Sequence, residues 1–298
     1  MQINGVEIED TFAEAFGMKA TRLIITALEI QWARKAAQAL TGFATSVIAC
    51  GVEAAIECEL DEKSTPDGRP GVSVLFFSVS TKELEKQIPK RVGQCVLTCP
   101  TTALFAGSVG EKKIGLGSKI RYFGDGYQIA KAFDGRRFWR IPVMDGEFLV
   151  EDATAVCQAV GGGNFLILAV DQRSALLACD VAAEAMSKLP GVIAPFFGSA
   201  TRSGSKVGSK YKSLPASTNE AYCPTLRTVV SSELSDRDGA VLEVVIDGIT
   251  EEDVRVAMRT GIEAVCRLGP AKGIRKITAG NYGGKLGQFH FHLHKVLA

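Results

Sequence analysis

The amino-acid sequence predicts an α+β fold of two similar lobes, with an antiparallel β-meander arm inserted between them. Both halves of the chain repeat one order of elements, in which apolar segments of strand length alternate with segments of helical periodicity. A β-α-β…β-α-β order in each half is typical of ferredoxin-like lobes. The chain has 298 residues and is 46% hydrophobic, which is enough apolar material for two cores.

The first half predicts a strand, a helix, two strands and a second helix. Leu84, Ile88, Val92, Cys95 and Val96 form an apolar stripe on the second helix. A proline inside that helix, Pro89, lacks a backbone N–H, so we expect a kink or a break there. The predicted elements are a strand at 20–28, a helix at 29–40, strands at 45–50 and 71–80, and a helix at 82–97.

The second half predicts the same order. Thr250 and Asp253 have the spacing of a capping box at the start of its second helix. The predicted elements are strands at 163–170, 191–197, 241–247 and 274–278, and helices at 172–189 and 251–267. The expected inward stripes are Leu177, Val181, Ala185 and Leu189 on the first helix, and Val254, Met258, Gly261, Ile262 and Val265 on the second.

The segment between the halves alternates aromatic and polar residues. It contains Asp134-Gly135 and Asp145-Gly146, dipeptides that adopt the positive φ angles of two-residue hairpins. We therefore predict a β-meander arm at about residues 119–150 that serves as a packing or partner surface. The predicted domains are an N-terminal lobe of residues 1–152, which includes the arm, and a C-terminal lobe of residues 153–298.

Composition excludes several classes of protein. The 34 basic residues nearly balance the 33 acidic ones, which argues against a nucleic-acid-binding surface of high charge. No apolar stretch approaches the roughly 20 residues of a membrane span, and the N-terminus lacks the pattern of a signal peptide. Eight scattered cysteines do not form a disulfide framework or a zinc pattern. We expect a cytoplasmic protein.

Glu243 is the most informative single residue. It interrupts the otherwise apolar strand 240–246 and shares a face with Val241 and Val245. Burying a carboxylate is costly unless it is paired or protonated, so this position indicates a functional group. The alternative is that this face of the sheet is open and that Glu243 contacts water.

Two loops are further candidates. Residues 202–212 place basic side chains among Gly and Ser, which predicts either an anion-binding loop or a solvated surface loop. Residues 280–287 surround Asn281, Tyr282 and Lys285 with four glycines, which allow a flat ligand to approach the backbone closely; a plain tight turn is the alternative. Neither residues 161–164 nor residues 203–210 match a nucleotide-binding fingerprint.

The three histidines, His290, His292 and His294, alternate near the C-terminus. On one strand they would share a face, which is a possible metal-ligand geometry. The alternative is a hydrated edge strand. We expect no metal site, because no further ligand is evident nearby.

Long segments of the chain resemble the formylmethanofuran:tetrahydromethanopterin formyltransferase family. The resemblance extends over almost the whole chain. The segments are NGVEIEDTFAEAF (4–16), TPDGRPG (65–71), RVGQCVLT (91–98), FGDGY (123–127), GGNF (162–165), SKVGSK (205–210), PASTN (215–219) and TAGNYGGKLG (278–287).

The resemblance implies an acyltransferase that moves a formyl group reversibly between the amine of a methanofuran-type carrier and N5 of a tetrahydromethanopterin-type carrier. It also implies a homotetramer without a metal or a tightly bound cofactor. The family's catalytic glutamate falls on Glu243. The implied substrate-binding residues are Gln94, Asn164, Ser205, Lys206, Lys210, Ser217, Thr218, Asn219, Asn281, Tyr282 and Lys285.

The near-neutral charge differs from the strongly acidic archaeal members, and residues 42–53 look more like the versions from methylotrophic bacteria. In those bacteria the protein is one component of a formyltransferase/hydrolase complex, whose other subunits resemble a formylmethanofuran dehydrogenase. The resemblance thus implies a role in the oxidation of formaldehyde to formate. Alternative hypotheses are a non-catalytic assembly subunit of such a complex and a histidine-dependent metallohydrolase.

Overall fold

A computed structural model describes residues 1–108, 110–204 and 206–298. Across those ranges no helix combines the length and apolar character needed to cross a bilayer. The helices are α1 (Ile30–Thr41), α2 (Val47–Cys50), α3 (Thr81–Cys95), α4 (Gly117–Ile120), α5 (Gln172–Met186), α6 (Glu251–Leu268) and α7 (Leu293–Val296). The strands are β1 (Gln2–Ile3), β2 (Val6–Ile8), β3 (Phe12–Thr26), β4 (Glu53–Leu60), β5 (Gly71–Ser78), β6 (Ala103–Ala106), β7 (Lys113–Gly115), β8 (Ile129–Phe133), β9 (Arg136–Val143), β10 (Gly146–Glu151), β11 (Ala153–Ala155), β12 (Cys157–Ala169), β13 (Val192–Ile193), β14 (Lys206–Val207), β15 (Ala216–Ser217), β16 (Ala240–Gly248), β17 (Ile274–Thr278) and β18 (Phe289–His292).

The chain divides into two compact units. The middle unit comprises residues 18–159, and the terminal unit comprises residues 1–17 together with 160–298. This division differs from the predicted lobes of 1–152 and 153–298, mainly in where the N-terminus belongs. Strand β2 pairs with β17, and the start of β3 pairs with β18, so the first residues fold with the C-terminal half. Such long-range pairing cannot be read from the local pattern.

The middle unit contains a β-α-β-β-α-β order formed by β3, α1, β4, β5, α3 and β6. Its strands lie in the order β4-β5-β3-β6, and each neighbouring pair is antiparallel. Strand β10 then joins β6 in parallel. Apolar residues of α1 and α3 pack with those of β5 in one core that includes Leu40, Phe76 and Ile88.

The terminal unit repeats this order with β12, α5, β13, β16, α6 and β17. Its strands lie in the order β13-β16-β12-β17, again with antiparallel neighbours. The predicted inward residues of α6 are all buried, and the predicted capping box is present. The repeated order of elements is therefore confirmed in each unit.

The predicted meander is present as β8, β9 and β10, which pair in succession and antiparallel. Asp134 and Gly135 have φ angles of 48° and 69° at the first turn, as the Asp-Gly signal predicts. The meander begins later than predicted, because residues 117–124 form α4 and a 3₁₀ turn.

Several local predictions are wrong. Residues 47–50 form α2 and not a strand, because the Ser46 side chain accepts from the Ile48 N–H and caps the turn. The predicted strand 191–197 is reduced to β13. Helix α3 runs through Pro89 without the break that was one of the two expected outcomes, and Leu84, Ile88 and Val92 are buried on its inner face. Helix α5 buries a different stripe from the one predicted, formed by Ala175, Ala178, Cys179, Ala182 and Met186.

The capping box of α6 generates a stability prediction. The Asp253 N–H donates to Thr250 Oγ1 at 3.1 Å, and the Thr250 N–H donates to Asp253 Oδ2 at 2.9 Å. Thr250→Ala removes the first bond, and we expect it to lower the free energy of unfolding by about 1 kcal/mol in denaturant titrations. Thr228→Ala, at an exposed position, is the matched control and should change it little. Equal stability of the Thr250 variant and the wild type would contradict this role.

Candidate active site

A cavity of about 300 Å³ in the terminal unit brings together many of the residues singled out in the sequence. Its volume is at the lower end of the range for small-molecule sites. Segments that are far apart in the chain supply its wall. The lining residues are Asn164, Gly204, Lys206, Val207, Asn219, Glu220, Ala221, Glu243, Gly280, Asn281 and Tyr282.

Glu243 is buried in the wall of this cavity. It lies in β16, pairs with Leu166 of β12 and is only 4% exposed. Its Oε2 atom has no hydrogen-bond partner within the described part of the chain. Burial raises the pKa of Glu243 from 4.5 to about 7, because the charged form loses its hydration. The carboxyl group can therefore hold or release a proton near neutral pH.

Residues of the segment 206–235 cover the sheet face that carries Glu243. Leu234 and Tyr222 pack against Leu166, which lies opposite Glu243 on β12, while Thr201 bonds to the Glu243 backbone at the edge of the sheet. The alternative of an open, hydrated face is therefore wrong. The covering segment has little regular secondary structure, so the strand pattern by itself did not reveal it.

Asn164 holds the backbone of the glycine-rich loop. Its Oδ1 accepts from the Gly280 N–H at 2.6 Å, and its Nδ2 donates to the carbonyl oxygens of Gly162 and Gly280 at 3.1 Å. Asn281 likewise donates to the Phe12 carbonyl oxygen at 3.1 Å. Both amides line the cavity, and both are engaged in fixing the loop.

Tyr282 lies in the same loop, with its ring centroid 5.9 Å from that of Phe16. Burial, reinforced by the nearby charges of Glu243 and Glu14, raises the pKa of Tyr282 to about 12. The phenol therefore keeps its proton at neutral pH and can act as a hydrogen-bond donor.

The predicted basic loop forms a hairpin of β14 and β15, and Lys206 lies at its base. The Lys206 ammonium group forms an ion pair with Glu220, which also lines the cavity. The hydrogen bond from Lys206 is the main cause that lowers the pKa of the Glu220 carboxyl. Glu220 was missed in the sequence, because Asn219-Glu220-Ala221 lies in an irregular segment without periodicity.

The other predicted residues have different surroundings. The Ser217 hydroxyl donates to the Gly208 carbonyl oxygen at 2.7 Å within the hairpin, and Asn219 donates to the Gly204 carbonyl oxygen at 3.4 Å. Ser205 lies outside the described residues. Three side chains are exposed and do not line the cavity, namely Thr218, Lys210 and Lys285. Gln94 is an exposed residue of α3 in the middle unit, so its substrate-binding role remains a prediction.

The three histidines do not share one strand face. His290 and His292 lie in β18, and their rings flank Phe12, but His294 lies in α7. His294 Nε2 lies 3.0 Å from the Ile8 carbonyl oxygen. Among the described residues, no group of three or more His, Cys, Asp and Glu is arranged to hold a metal ion.

Glu14 is a second residue that was not selected in the sequence. It lies at the start of β3 and is 1% exposed. Its carboxylate accepts from the backbone N–H groups of Tyr282, Gly284, Leu286 and Gly287 at 2.6–2.8 Å. Its signal in the sequence was a charged residue between Ala13 and Ala15 in a long strand, where both neighbours are fully buried.

The raised pKa of Glu243 predicts a pH-dependent stability difference. Below pH 4.5 the Glu243 carboxyl group is protonated in both the folded and the unfolded chain. Between about pH 4.5 and 7 it ionises only in the unfolded chain, so the wild type loses stability as pH rises. Glu243→Gln cannot ionise. The variant should therefore gain stability relative to the wild type across this range, by at most about 1.4 kcal/mol per pH unit.

Chemical denaturation at several pH values measures this difference. Glu263→Gln, at an exposed position of α6, is the control and should follow the wild-type curve. Parallel curves for the wild type and Glu243→Gln would show that the carboxyl group is not held in its neutral form.

Two family models match nearly the whole chain. "Formylmethanofuran-tetrahydromethanopterin formyltransferase" matches residues 1–143, and the proximal lobe of the same family matches residues 146–296. The chain is 62% identical over 298 residues to the enzyme of that name from Methylococcus capsulatus, with 100% of each covered. It is 52% identical over 301 residues to one component of the formyltransferase/hydrolase complex from Methylorubrum extorquens, covering 99% of this chain and 97% of that one.

Two solved structures are also similar. The formyltransferase/hydrolase complex of Methylorubrum extorquens with methylofuran contains a chain with a TM-score of 0.97 and 51% identity, covering 100% of this chain and 99% of that one. The formyltransferase of Methanosarcina barkeri has a TM-score of 0.93 and 45% identity, covering 99% and 100%. The full-length matches show that this chain belongs to the formylmethanofuran–tetrahydromethanopterin formyltransferase family.

Proposed function

We propose that the protein is an N-formyltransferase, which transfers a formyl group between a methanofuran-type amine and N5 of a tetrahydromethanopterin-type carrier. The observation that carries this proposal is the buried carboxyl group of Glu243, with its pKa raised to about 7, in the wall of a polar cavity. Family membership supports the identity of the carriers. Methylofuran in the similar Methylorubrum extorquens complex supports a furan-type donor or acceptor.

The reaction transfers an acyl group from one nitrogen to another. The attacking amine forms a bond to the formyl carbon, and the carbonyl oxygen gains negative charge. The bond from that carbon to the first nitrogen then breaks, and the departing nitrogen takes a proton while the attacking nitrogen loses one. The neutral Glu243 carboxyl group supplies the proton to the departing amine. The carboxylate that remains takes up the proton that the attacking nitrogen loses, so the group is neutral again after each turnover in either direction.

The remaining cavity residues stabilise charge and position the carriers. Tyr282 keeps its proton, so its hydroxyl can donate a hydrogen bond to a polar group of a carrier. Lys206 supplies a positive charge that Glu220 holds at the cavity wall. Positioning of two reactants accounts for much of the acceleration in such transfers.

The architecture and assembly of the family extend the proposal. Each unit has the β-α-β-β-α-β order and the antiparallel strand arrangement that support two ferredoxin-like lobes. We infer a homotetramer, and a place in a formyltransferase/hydrolase complex that acts within the oxidation of formaldehyde to formate. The similarity to the component of the Methylorubrum extorquens complex supports this placement.

A formyl-transfer assay with the purified chain and both carriers tests the function. We expect transfer by the chain alone, in both directions and without added metal. An assembly subunit would be inactive without its partners, whereas a metallohydrolase would release formate and lose activity with a chelator. Either of these outcomes would overturn the proposal.

Glu243→Gln tests the role of the carboxyl group in catalysis. The amide keeps its shape and removes proton exchange, so kcat should fall by about 100- to 10,000-fold, the usual contribution of one acid–base group. Carrier binding should change much less, since the proton moves in the transition state. Steady-state kinetics with Glu263→Gln as the control measure both effects. Near-native turnover by Glu243→Gln would show that positioning alone carries the reaction.

The basic hairpin yields a prediction on binding. Both carriers of this family have anionic tails, so Lys210→Ala and Lys206→Ala should raise KM at low ionic strength. The effect of Lys210→Ala should shrink in high salt, because exposed charges are screened over about 10 Å at 0.1 M. Lys272→Ala removes an exposed charge from another loop and is the control. Unchanged KM values at low ionic strength would identify this hairpin as a solvated surface loop.

A further inference from the structure

The carboxylate of Glu14 organises the loop between β17 and β18. Its two oxygens accept four backbone N–H groups, two each: Oε2 accepts from Tyr282 and Gly284, and Oε1 accepts from Leu286 and Gly287. No Lys or Arg forms an ion pair with it within residues 1–108, 110–204 and 206–298. The charge of Glu14 is therefore met by the loop backbone, as in an anion-binding nest.

The loop has a shape that depends on this anion. Gly283 and Gly284 have φ angles of 72° and 71°, which turn successive N–H groups towards one point. A Cβ atom at Gly287 would lie 2.4 Å from the Ala15 carbonyl oxygen and 2.8 Å from Glu14 Cγ, so the backbone passes against β3 without room for a side chain. Without a negative charge at Glu14, the positive ends of these N–H dipoles would point at one place and repel one another.

The same loop carries part of the wall of the Glu243 cavity. Gly280, Asn281 and Tyr282 all line it. Asn164 fixes the loop at Gly280. Asn281 donates to the Phe12 carbonyl oxygen, so the start of the loop is held independently of Glu14. Tyr282 and the following residues are fixed by Glu14.

Glu14 remains charged throughout the pH range in which Glu243 titrates. Burial by itself would raise the pKa of Glu14, but the four N–H groups outweigh burial and lower it to about 2. The loop is therefore held by a permanent charge, while Glu243 in β16 exchanges its proton.

We propose that Glu14 is a positioning residue for formyl transfer: its buried carboxylate holds the loop so that Tyr282 lies in the wall of the Glu243 cavity. This inference rests on the proposed function. Glu14 does not line the cavity, and it acts on the reaction through the placement of Tyr282.

A double-mutant cycle of Glu14→Gln and Tyr282→Phe tests this role. The glutamine retains one acceptor oxygen but directs an NH₂ group at half of the loop's N–H donors. We expect kcat to fall by about 10- to 100-fold, the cost of misplacing a group by about 1 Å, with a smaller change in KM. If Glu14 acts through Tyr282, the double variant loses no more than the more affected single variant.

Asp238→Asn provides the matched control. Asp238 is a buried carboxylate of the same unit, bonded to Ser235 and Arg275 and absent from the cavity wall. The Asp238→Asn variant should have a lower Tm but the wild-type kcat. That result would show that a loss of stability alone does not reproduce the effect of Glu14→Gln. If Glu14→Gln does not fold, Glu14→Asp replaces it in the cycle. The aspartate keeps the negative charge, but its shorter side chain holds the carboxylate farther from the loop N–H groups.

The wild type, assayed in parallel, separates the two proposals. An inactive wild type overturns the formyl-transfer function and the role of Glu14 with it. An active wild type together with native kcat in the folded Glu14 variant overturns only the positioning role. Fully additive losses in the cycle also overturn it, because Glu14 would then act independently of Tyr282.

Discussion

Removal of the Glu243 carboxyl group from water is the constraint on which the site depends. The group lies on a strand whose other face packs into the main core of the terminal unit, and residues of the segment 206–235 cover its own face. A charge placed there is unfavourable without a partner, so the proton stays on the carboxyl group to about pH 7. In the proposed reaction, a carrier amine bound in the adjacent cavity receives that proton.

Glu243 and Glu14 show how one residue type serves two purposes in the same unit. Both are almost fully buried, yet their pKa values lie near 7 and near 2. The difference comes from hydrogen bonds, since four backbone N–H groups surround Glu14 and Oε2 of Glu243 has no partner in the described part of the chain. The surroundings therefore shift the pKa values of two carboxyl groups in opposite directions, which is the basis of the different roles that we propose for them.

The polar residues around the cavity divide in a similar way. Three of them donate hydrogen bonds to backbone carbonyl oxygens and so fix the loops near the wall, namely Asn164, Asn281 and Ser217. Lys206 and Glu220 instead pair with each other at the wall, and such a pair can be rearranged by an incoming anionic group. The family resemblance assigned one substrate-binding role to most of these residues, whereas the hydrogen bonds separate those that fix loops from the Lys206–Glu220 ion pair.

The sequence by itself determined the repeated element order, the capping box at Thr250 and the first meander turn, and it selected the buried Glu243 as a candidate, because these depend on local periodicity and on one charge in an apolar strand. Only the tertiary structure assigned residues 1–17 to the terminal unit, selected the buried face of α5 and joined Glu14 to a loop some 270 residues away. Local pattern carries no information on such contacts, since strand pairing and small-residue packing are decided by partners distant in the chain.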